Sequence, residues 1–177
     1  EIKQTIPSPI EITTLIKETG ANYSKDYLNK PDNRDQYSSN FQKSLNLGVY
    51  GADLGYLNLY DKTALSVSYL SAVRDLADDL KLGQFFDYNT IRQLDENKAN
   101  PDSLLYMSTR NFNKMDQHLR EKDRGNVSVL ILYGGWLEGL HIAAEVAEAS
   151  KSEELKNRIG EQKIVLDDLM LILNVYK

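Results

Sequence analysis

The sequence predicts an all-α protein that folds as a single helical bundle of about six to seven helices. Helix-capping residues, prolines and glycines punctuate the chain, and apolar residues recur between them at three- and four-residue spacing. No segment has the strict alternation of a strand or an Asn-Gly hairpin signal. With 177 residues, 41% of them hydrophobic, the chain is long enough for one domain with a substantial core.

The first elements follow from signals near the N-terminus. Residues 1–8 are predicted to be a polar tether, and the bundle domain to run over 9–177. Residues 8–11, Ser-Pro-Ile-Glu, form a capping box with proline at the first helical position, so a helix is expected to begin there and to end at Gly20. A polar, turn-rich stretch follows, and a long helix is then expected over about 35–60.

Five more helices are predicted from the same kinds of signal. Their starts are marked by Asn, Ser or Pro, and their ends by glycine or by charged turns. They are expected at about 64–82 with a stop at Gly83, at 89–97, from Pro101 to a stop at Gly125, at 127–144, and from a cap at Ser152 onward.

The stretch 127–144 is apolar on all sides apart from Glu138 and His141, which raises the alternative of a membrane span. A spanning helix needs about 20 mostly apolar residues, and a carboxylate within the membrane is costly. This stretch is shorter and also contains three glycines. We therefore expect a central bundle helix, and no transmembrane segment in this chain.

A short motif occurs twice and predicts an internal duplication. Tyr50-Gly-Ala-x-Leu54 reappears as Tyr133-Gly-Gly-x-Leu137, and "LADDL" after the first copy resembles "VLDDL" after the second. Each half, 9–98 and 99–177, would be built around a long glycine-bearing helix followed by an amphipathic partner. The expected result is one closed bundle with pseudo-twofold symmetry.

Glycines inside these two helices require an explanation, because each destabilises a helix by about 1 kcal/mol relative to alanine. Stripes of small residues allow two backbones to approach closely, so we expect the two helices to cross at the centre of the bundle. The alternative is that the glycines make room for a ligand. The small residues concerned are Gly48, Ala52 and Gly55 on one stripe, and the pairs Gly51–Gly55 and Gly135–Gly139 at four-residue spacing.

Composition excludes several classes of function. A net charge of -5 argues against binding to nucleic acid or to anionic lipid. The absence of cysteine excludes disulfides, zinc-thiolate sites and thiol nucleophiles. No serine-hydrolase elbow, phosphate loop, His-Glu-x-x-His or dinucleotide fingerprint is present. The sequence therefore predicts no cofactor and favours a non-enzymatic protein.

A Glu-x-x-His pair is the strongest candidate for metal chemistry. Glu138 and His141 share one helix face, and di-iron bundles use two such pairs. The repeat places Gly55 and Asn58 at the corresponding positions of the first half, so the second pair is absent. A single metal held by Glu138, His141 and Asp53 remains as an alternative, with satisfied polar core residues as the simpler interpretation.

Asp53 and the tyrosines define a candidate ligand site. If Asp53 is buried it must be paired, or its pKa rises, and a carboxylate pair with Glu138 across the helix crossing is one candidate arrangement. Otherwise Asp53 faces a groove and caps or bridges a neighbour. The 11 tyrosines suit either amphipathic core packing or an apolar pocket with hydroxyl groups. The candidate ligand-binding residues are Tyr50, Asp53, Tyr56, Tyr133, Trp136, Glu138 and His141.

Four segments resemble an uncharacterised family of small all-helical envelope proteins of Bacteroidetes-type bacteria. They are "PSPIEITTLIKETGANYS", "NLGVYGADLGYLNLYDK", "GGWLEGLHIA" and "RIGEQKIVLDDL". The resemblance implies export to the cell envelope or periplasm, as a lipoprotein whose acylated cysteine lies upstream of Glu1. It implies no catalytic residue.

The leading functional hypothesis is a non-enzymatic, envelope-associated protein that binds a partner protein or a small ligand. The alternative is a metal-binding bundle or metal-dependent enzyme that uses Glu138, His141 and Asp53. A purely structural role is the third interpretation.

Overall fold

The computed structural model describes residues 15–86, 89, 92–93, 96 and 101–175. For residues 63, 101–105 and 107–109 it describes the backbone only. This part of the chain is helical and contains no strand, which confirms the predicted all-α class. Its long helices are α1 (Asn40–Leu59), α2 (Thr63–Asp79), α3 (Pro101–Glu121), α4 (Gly125–Ser150) and α5 (Glu153–Val175). Shorter 3-10 helices lie at Lys25–Tyr27, Pro31–Gln36 and Gly83–Phe85.

The start of α1 differs from the prediction, which placed it near residue 35. A separate 3-10 helix occupies Pro31–Gln36, and α1 begins at Asn40. The cause is a capping box: the Gln42 backbone N–H donates to Ser39 Oγ (3.1 Å), and the Ser39 backbone N–H donates to Gln42 Oε1 (3.2 Å). The two bonds fix the first turn at this point of the chain.

Two predicted glycine stops are wrong. Left-handed residues end these helical segments earlier: Lys81 (φ 61°) follows α2 and Asp123 (φ 55°) follows α3. Gly83 instead begins a 3-10 helix, and Gly125 is the first residue of α4. The predicted stop at Gly20 is confirmed by its positive φ of 67°. The predicted tether, the capping box at 8–11 and most of the predicted helix 89–97 lie outside the described residues.

The bundle is arranged around α1 and α4, which form its largest helix–helix interface. Helix α2 packs on α1, whereas α3 and α5 pack on α4. The main core lies around α1, and a smaller cluster of Trp136, Val165 and Leu169 lies between α4 and α5. Each glycine-bearing helix is thus followed by a partner helix that packs on it, but the internal duplication itself stays a prediction.

The close approach of α1 and α4 confirms the predicted crossing of the two glycine-bearing helices. A Cβ atom added at Gly48 would lie 2.6 Å from the backbone nitrogen of Gly135 and 2.9 Å from the carbonyl carbon of Ile131. A Cβ atom at Gly134 would lie 2.8 Å from the carbonyl carbon of Leu45. Backbone atoms cannot yield as a flexible side chain can, so these two positions require glycine.

The part of the prediction that concerned Gly51 is wrong. This glycine is exposed, and a Cβ atom there would meet nothing within 4 Å. At Gly135 the nearest atom, the Gly48 carbonyl oxygen, would be 3.4 Å away, which is ordinary van der Waals contact. Equivalent positions of the repeated motif therefore differ, since Gly51 faces open space while Gly134 lies against Leu45.

Among the described residues, only α4 is long and apolar enough to cross a membrane by length and composition. An 18-residue window of this helix has a mean hydropathy of 1.4, and 56% of the window is buried inside the protein. The core helix of a soluble protein gives the same result, so this is weak evidence for a span.

Candidate functional site

The helix crossing positions Asp53 and Glu138 opposite each other. Asp53 lies five residues beyond Gly48, about 7.5 Å along α1, and Glu138 lies three residues beyond Gly135 on α4. The two helices run in the same general direction, because Leu45 of α1 contacts Gly134 of α4 and the later residue Asp53 interacts with the later residue Glu138. The two carboxyl groups therefore meet on the same side of the crossing.

Asp53 is completely buried, with 0% of its surface exposed. Neither of its carboxyl oxygens has a hydrogen-bond partner within the described part of the chain. The Asn29 backbone lowers the pKa of Asp53 slightly without meeting either oxygen in hydrogen-bonding geometry. A buried ionised carboxylate without a donor is strongly unfavourable, so the neutral form is favoured.

Burial, as the larger cause, and the neighbouring Glu138 carboxyl together raise the pKa of Asp53 to about 9. Two ionised carboxylates have no hydrogen atom to share. Once Asp53 holds a proton it can donate to Glu138, which explains why the pair interacts although the bare Asp53 oxygens find no donor. Asp53 is therefore the protonated member of the pair at neutral pH.

Glu138 has a different environment, because it is only half-buried. Burial raises its pKa, whereas the hydrogen bond with Asp53 and the nearby His141 imidazole lower it. His141 is exposed one turn further along α4. The negative charge of the pair therefore resides on Glu138, at the side that solvent reaches.

A layer of packed tyrosine rings lies next to Asp53, which contributes to the raised pKa of Tyr50 and of Tyr69. The rings of Tyr50 and Tyr69 meet edge to face at 6.1 Å, and the ring of Tyr56 lies 5.0 Å from Tyr60 and 5.6 Å from Tyr23 between centroids. Burial raises the pKa of Tyr50 and Tyr69, and raises that of Tyr56 to about 12. These phenols stay neutral at physiological pH and can both donate and accept hydrogen bonds.

Three tyrosine hydroxyls of α1 and its C-cap hold the irregular segment 21–37, here called the strap. All three bonds go to the strap's backbone, so they fix its path irrespective of its side chains. They join Tyr50 Oη to the Lys30 carbonyl (2.8 Å), Tyr60 Oη to the Ala21 carbonyl (2.8 Å), and the Ser24 backbone N–H to Tyr56 Oη (3.1 Å).

Tyr23 of the strap contributes a second unsatisfied polar group. Its hydroxyl is buried and has no hydrogen-bond partner among the described residues, while the Lys62 ammonium lies 4.8 Å from the centre of its ring. Asp53, Tyr23 and Glu138 each raise the pKa of Tyr69, so all three lie near the Tyr69 hydroxyl. We call Tyr23, Asp53, Tyr69 and Glu138 the Asp53 site.

The structure divides the predicted set of ligand-binding residues. Four of these residues lie where α1 and α4 face each other, namely Tyr50, Asp53, Tyr56 and Glu138. His141 lies at the exposed edge of this region. Tyr133 and Trp136 instead lie on the α5 side, where Trp136 Nε1 donates to Gln162 Oε1 (2.9 Å). Since Trp136 follows Gly134 by two positions, it points roughly 200° around the helix from the crossing.

A metal centre finds limited support in this arrangement. Within the described residues, no three His, Cys, Asp or Glu side chains come together in a way that could hold a metal ion. Asp53 and Glu138 meet, but His141 is exposed at the edge of the pair. The proposed three-residue metal set is therefore not assembled into one coordination site.

Sequence reasoning did not identify Tyr23 and Tyr69 as members of the site. Tyr69 was recognisable only as a core position of α2, because it lies on that helix's apolar stripe. Tyr23 lies in the strap, where no periodic pattern indicates which side chains point inward. The large number of tyrosines was the one available signal, and it carries no positional information.

Comparison with protein-family models, with curated proteins and with solved structures finds no match to this chain. The resemblance to bacterial envelope proteins therefore stays a prediction. The function has to be argued from the site alone.

Proposed function

We propose that this chain is a non-enzymatic, envelope-associated protein that binds a small ligand, or a side chain of a partner protein, at the Asp53 site. The observation that carries the proposal is the pair of fully buried Asp53 oxygens that no donor of the described chain satisfies. A bound group would supply the missing donors.

A purely structural role accounts less well for this arrangement. Apolar residues of similar volume often stabilise a core as well as a buried charged group does, or better. Asp53 instead places a carboxyl group that must hold a proton beside a second carboxyl group, and its two oxygens accept no hydrogen bond within the described chain. Unsatisfied buried polar groups are rare in folded proteins and require a specific explanation.

The alternative of a metal-dependent enzyme has weaker support. Two carboxyl groups can provide oxygen ligands, but His141 lies at the exposed edge and no third acidic or imidazole group joins them in the described chain. A catalytic metal usually has three protein ligands and an open position. We therefore rank binding above metal chemistry.

Native mass spectrometry of the purified full chain tests the binding proposal. The probe is an extract of the small molecules of bacterial cells. We expect a mass adduct on the wild type that Asp53→Asn lacks. Asp167→Asn makes the same chemical change at an exposed position of α5 and should retain the adduct. Identical spectra for the wild type and Asp53→Asn would contradict the proposal.

The envelope location rests on the sequence resemblance alone. Its test is fractionation of bacterial cells that express the complete reading frame. We expect the protein with the membrane or periplasmic markers. Recovery with the cytosolic markers would contradict this part of the proposal and leave the binding site untouched.

A further inference from the structure

The chemistry of the Asp53 site restricts what can bind there. Its polar atoms are carboxyl and phenol oxygens, and the two Asp53 oxygens need donors. The Glu138 carboxylate adds a negative charge beside them. An anionic ligand would be repelled, and an apolar ligand would leave the oxygens unsatisfied.

The aromatic surroundings favour an organic cation over a metal ion. A monatomic cation would require more charged or imidazole ligands than the two carboxyl groups that meet here. Ring faces attract ammonium and guanidinium groups, and Tyr23 already receives the chain's own Lys62 ammonium 4.8 Å from its centre. Tyr50 and Tyr69 add further aromatic surface around the carboxyl pair.

We infer that the group bound at the Asp53 site is an organic cation, an ammonium or guanidinium, whose N–H groups donate to the Asp53 oxygens beneath the tyrosine layer. This inference rests on the proposed function and specifies its ligand. Because Asp53 is protonated in the free protein, binding of the cation releases this proton to solvent and leaves a carboxylate. A guanidinium can then donate to both oxygens of Asp53 at once, and an ammonium can donate to Asp53 and to Glu138.

The fold also indicates the route of entry. Glu138 is half-buried and His141 is exposed, so the site is closest to solvent on the α4 side. On the other side the tyrosine hydroxyls hold the strap by its backbone. The cation therefore first meets the Glu138 carboxylate and then the two oxygens of Asp53. Either a free amine or a lysine or arginine side chain of a partner can supply such a group.

Isothermal titration calorimetry on the full chain tests the inference with four cationic probes. Agmatine and putrescine represent free amines, and the peptides Gly-Arg-Gly and Gly-Lys-Gly represent a partner's side chain. Both peptides are acetylated at the N-terminus and amidated at the C-terminus, so that the side chain carries the only charge. The same blocked peptide with acetylated lysine keeps the length without the charge. We expect saturable binding of at least one cationic probe and none of the acetylated peptide. Tighter binding of the free amines indicates a small ligand, and tighter binding of the peptides indicates a partner.

Variants assign the binding to the site. Asp53→Asn should weaken it about 10- to 100-fold, because charge-assisted hydrogen bonds are lost. Glu138→Gln should weaken it less, and Asp167→Asn should leave it unchanged. Tyr23→Phe removes the unsatisfied hydroxyl and keeps the ring, so it shows how much the hydroxyl itself contributes to binding. Circular dichroism verifies that each variant is folded.

Three outcomes would overturn the inference. The first is the absence of saturable binding by any of the four cations, and the second is equal binding to the wild type and Asp53→Asn. The third is saturable binding of Ca²⁺ or Zn²⁺ that Asp53→Asn abolishes, with no binding of the amines. If the amines fail while the extract still gives an Asp53-dependent adduct, only the ligand class is wrong and the proposed function stands.

Discussion

Two buried aspartates of this protein, Asp116 on α3 and Asp53 on α1, have opposite environments. Asp116 is 4% exposed and accepts hydrogen bonds from Ser128 Oγ (2.7 Å) and from Arg120 Nε (3.0 Å and 3.1 Å). Asp53 is 0% exposed and accepts none within the described chain. Burial alone therefore does not make a carboxyl group a candidate functional site, whereas burial without donors requires an explanation.

The same contrast exists between the two sides of α4. On the α5 side, the buried indole N–H of Trp136 is satisfied by Gln162, and the surroundings are apolar. On the α1 side, the backbones are almost in contact at Gly48 and the polar group next to the crossing is left unsatisfied. The indole N–H at the α4–α5 interface already has its partner. In our proposal, a bound group supplies the missing donors at the α1–α4 interface.

The largest expected effect concerns the crossing that holds the Asp53 site together. Gly48→Ala should destabilise the fold by about 2–3 kcal/mol, because its methyl group meets the backbone of α4. Gly51→Ala is the matched control on the same helix, and should instead stabilise the fold by up to about 1 kcal/mol. Urea unfolding measures both changes. Equal effects at the two positions would contradict the observed crossing.

The two aspartates should respond to the same substitution with opposite signs. At pH 7, Asp116→Asn should lower the free energy of unfolding by about 1–3 kcal/mol, since Arg120 and Ser128 lose their acceptor charge. Asp53→Asn should raise it by about 1–3 kcal/mol, because folding no longer has to place a proton on a buried carboxyl group. Chemical unfolding of the two variants tests this prediction. Destabilisation by Asp53→Asn would contradict it.

The stabilisation that Asp53→Asn gives over the wild type should increase as the pH rises. The folded-state pKa of Asp53, about 9, lies above the unfolded value, so folding takes up a proton. Stability from this group is fully present below about pH 4 and is lost as the pH rises toward about 9. The difference in melting temperature between Asp53→Asn and the wild type should therefore widen from pH 5 to pH 9. A difference that stays constant over this pH range would contradict the raised pKa.

The smallest expected effect lies on the opposite side of α4. Trp136→Phe leaves the buried Gln162 carbonyl oxygen without the indole donor and should destabilise the fold by about 1 kcal/mol. It should leave binding at the Asp53 site unchanged, because Trp136 faces α5. Thermal unfolding and calorimetry with agmatine measure the two effects. Loss of binding in this variant would contradict the prediction, because it would mean that the α5 side of α4 also contributes to the Asp53 site.

Much of the fold could be predicted because local signals specify helices. The long apolar stretch identified the central helix, and the glycines inside two helices predicted that these helices cross. The start of α1 was misplaced because the capping box at Ser39 competes with an earlier acidic turn. The glycine stops at residues 83 and 125 were misassigned because Lys81 and Asp123 adopt the left-handed conformation.

The candidate site could be predicted only in part. The pairing of Asp53 with Glu138 followed from placing two glycine-bearing helices against each other. The repeated motif does not specify which helix face meets the partner, so Trp136 and Tyr133 were grouped with residues on the opposite side. Tyr23 was missed because the strap has no regular period, and its position depends on long-range bonds such as the one from Ser24 to Tyr56.

A carboxyl ¹³C NMR titration of the full chain tests the central claim most directly. The chain is labelled at aspartate, and Asp53→Asn identifies the resonance. We predict that Asp53 remains protonated at pH 7 and ionises only near pH 9. Ionisation of Asp53 near pH 4 would contradict the account, because it would mean that this carboxylate is as well satisfied as Asp116.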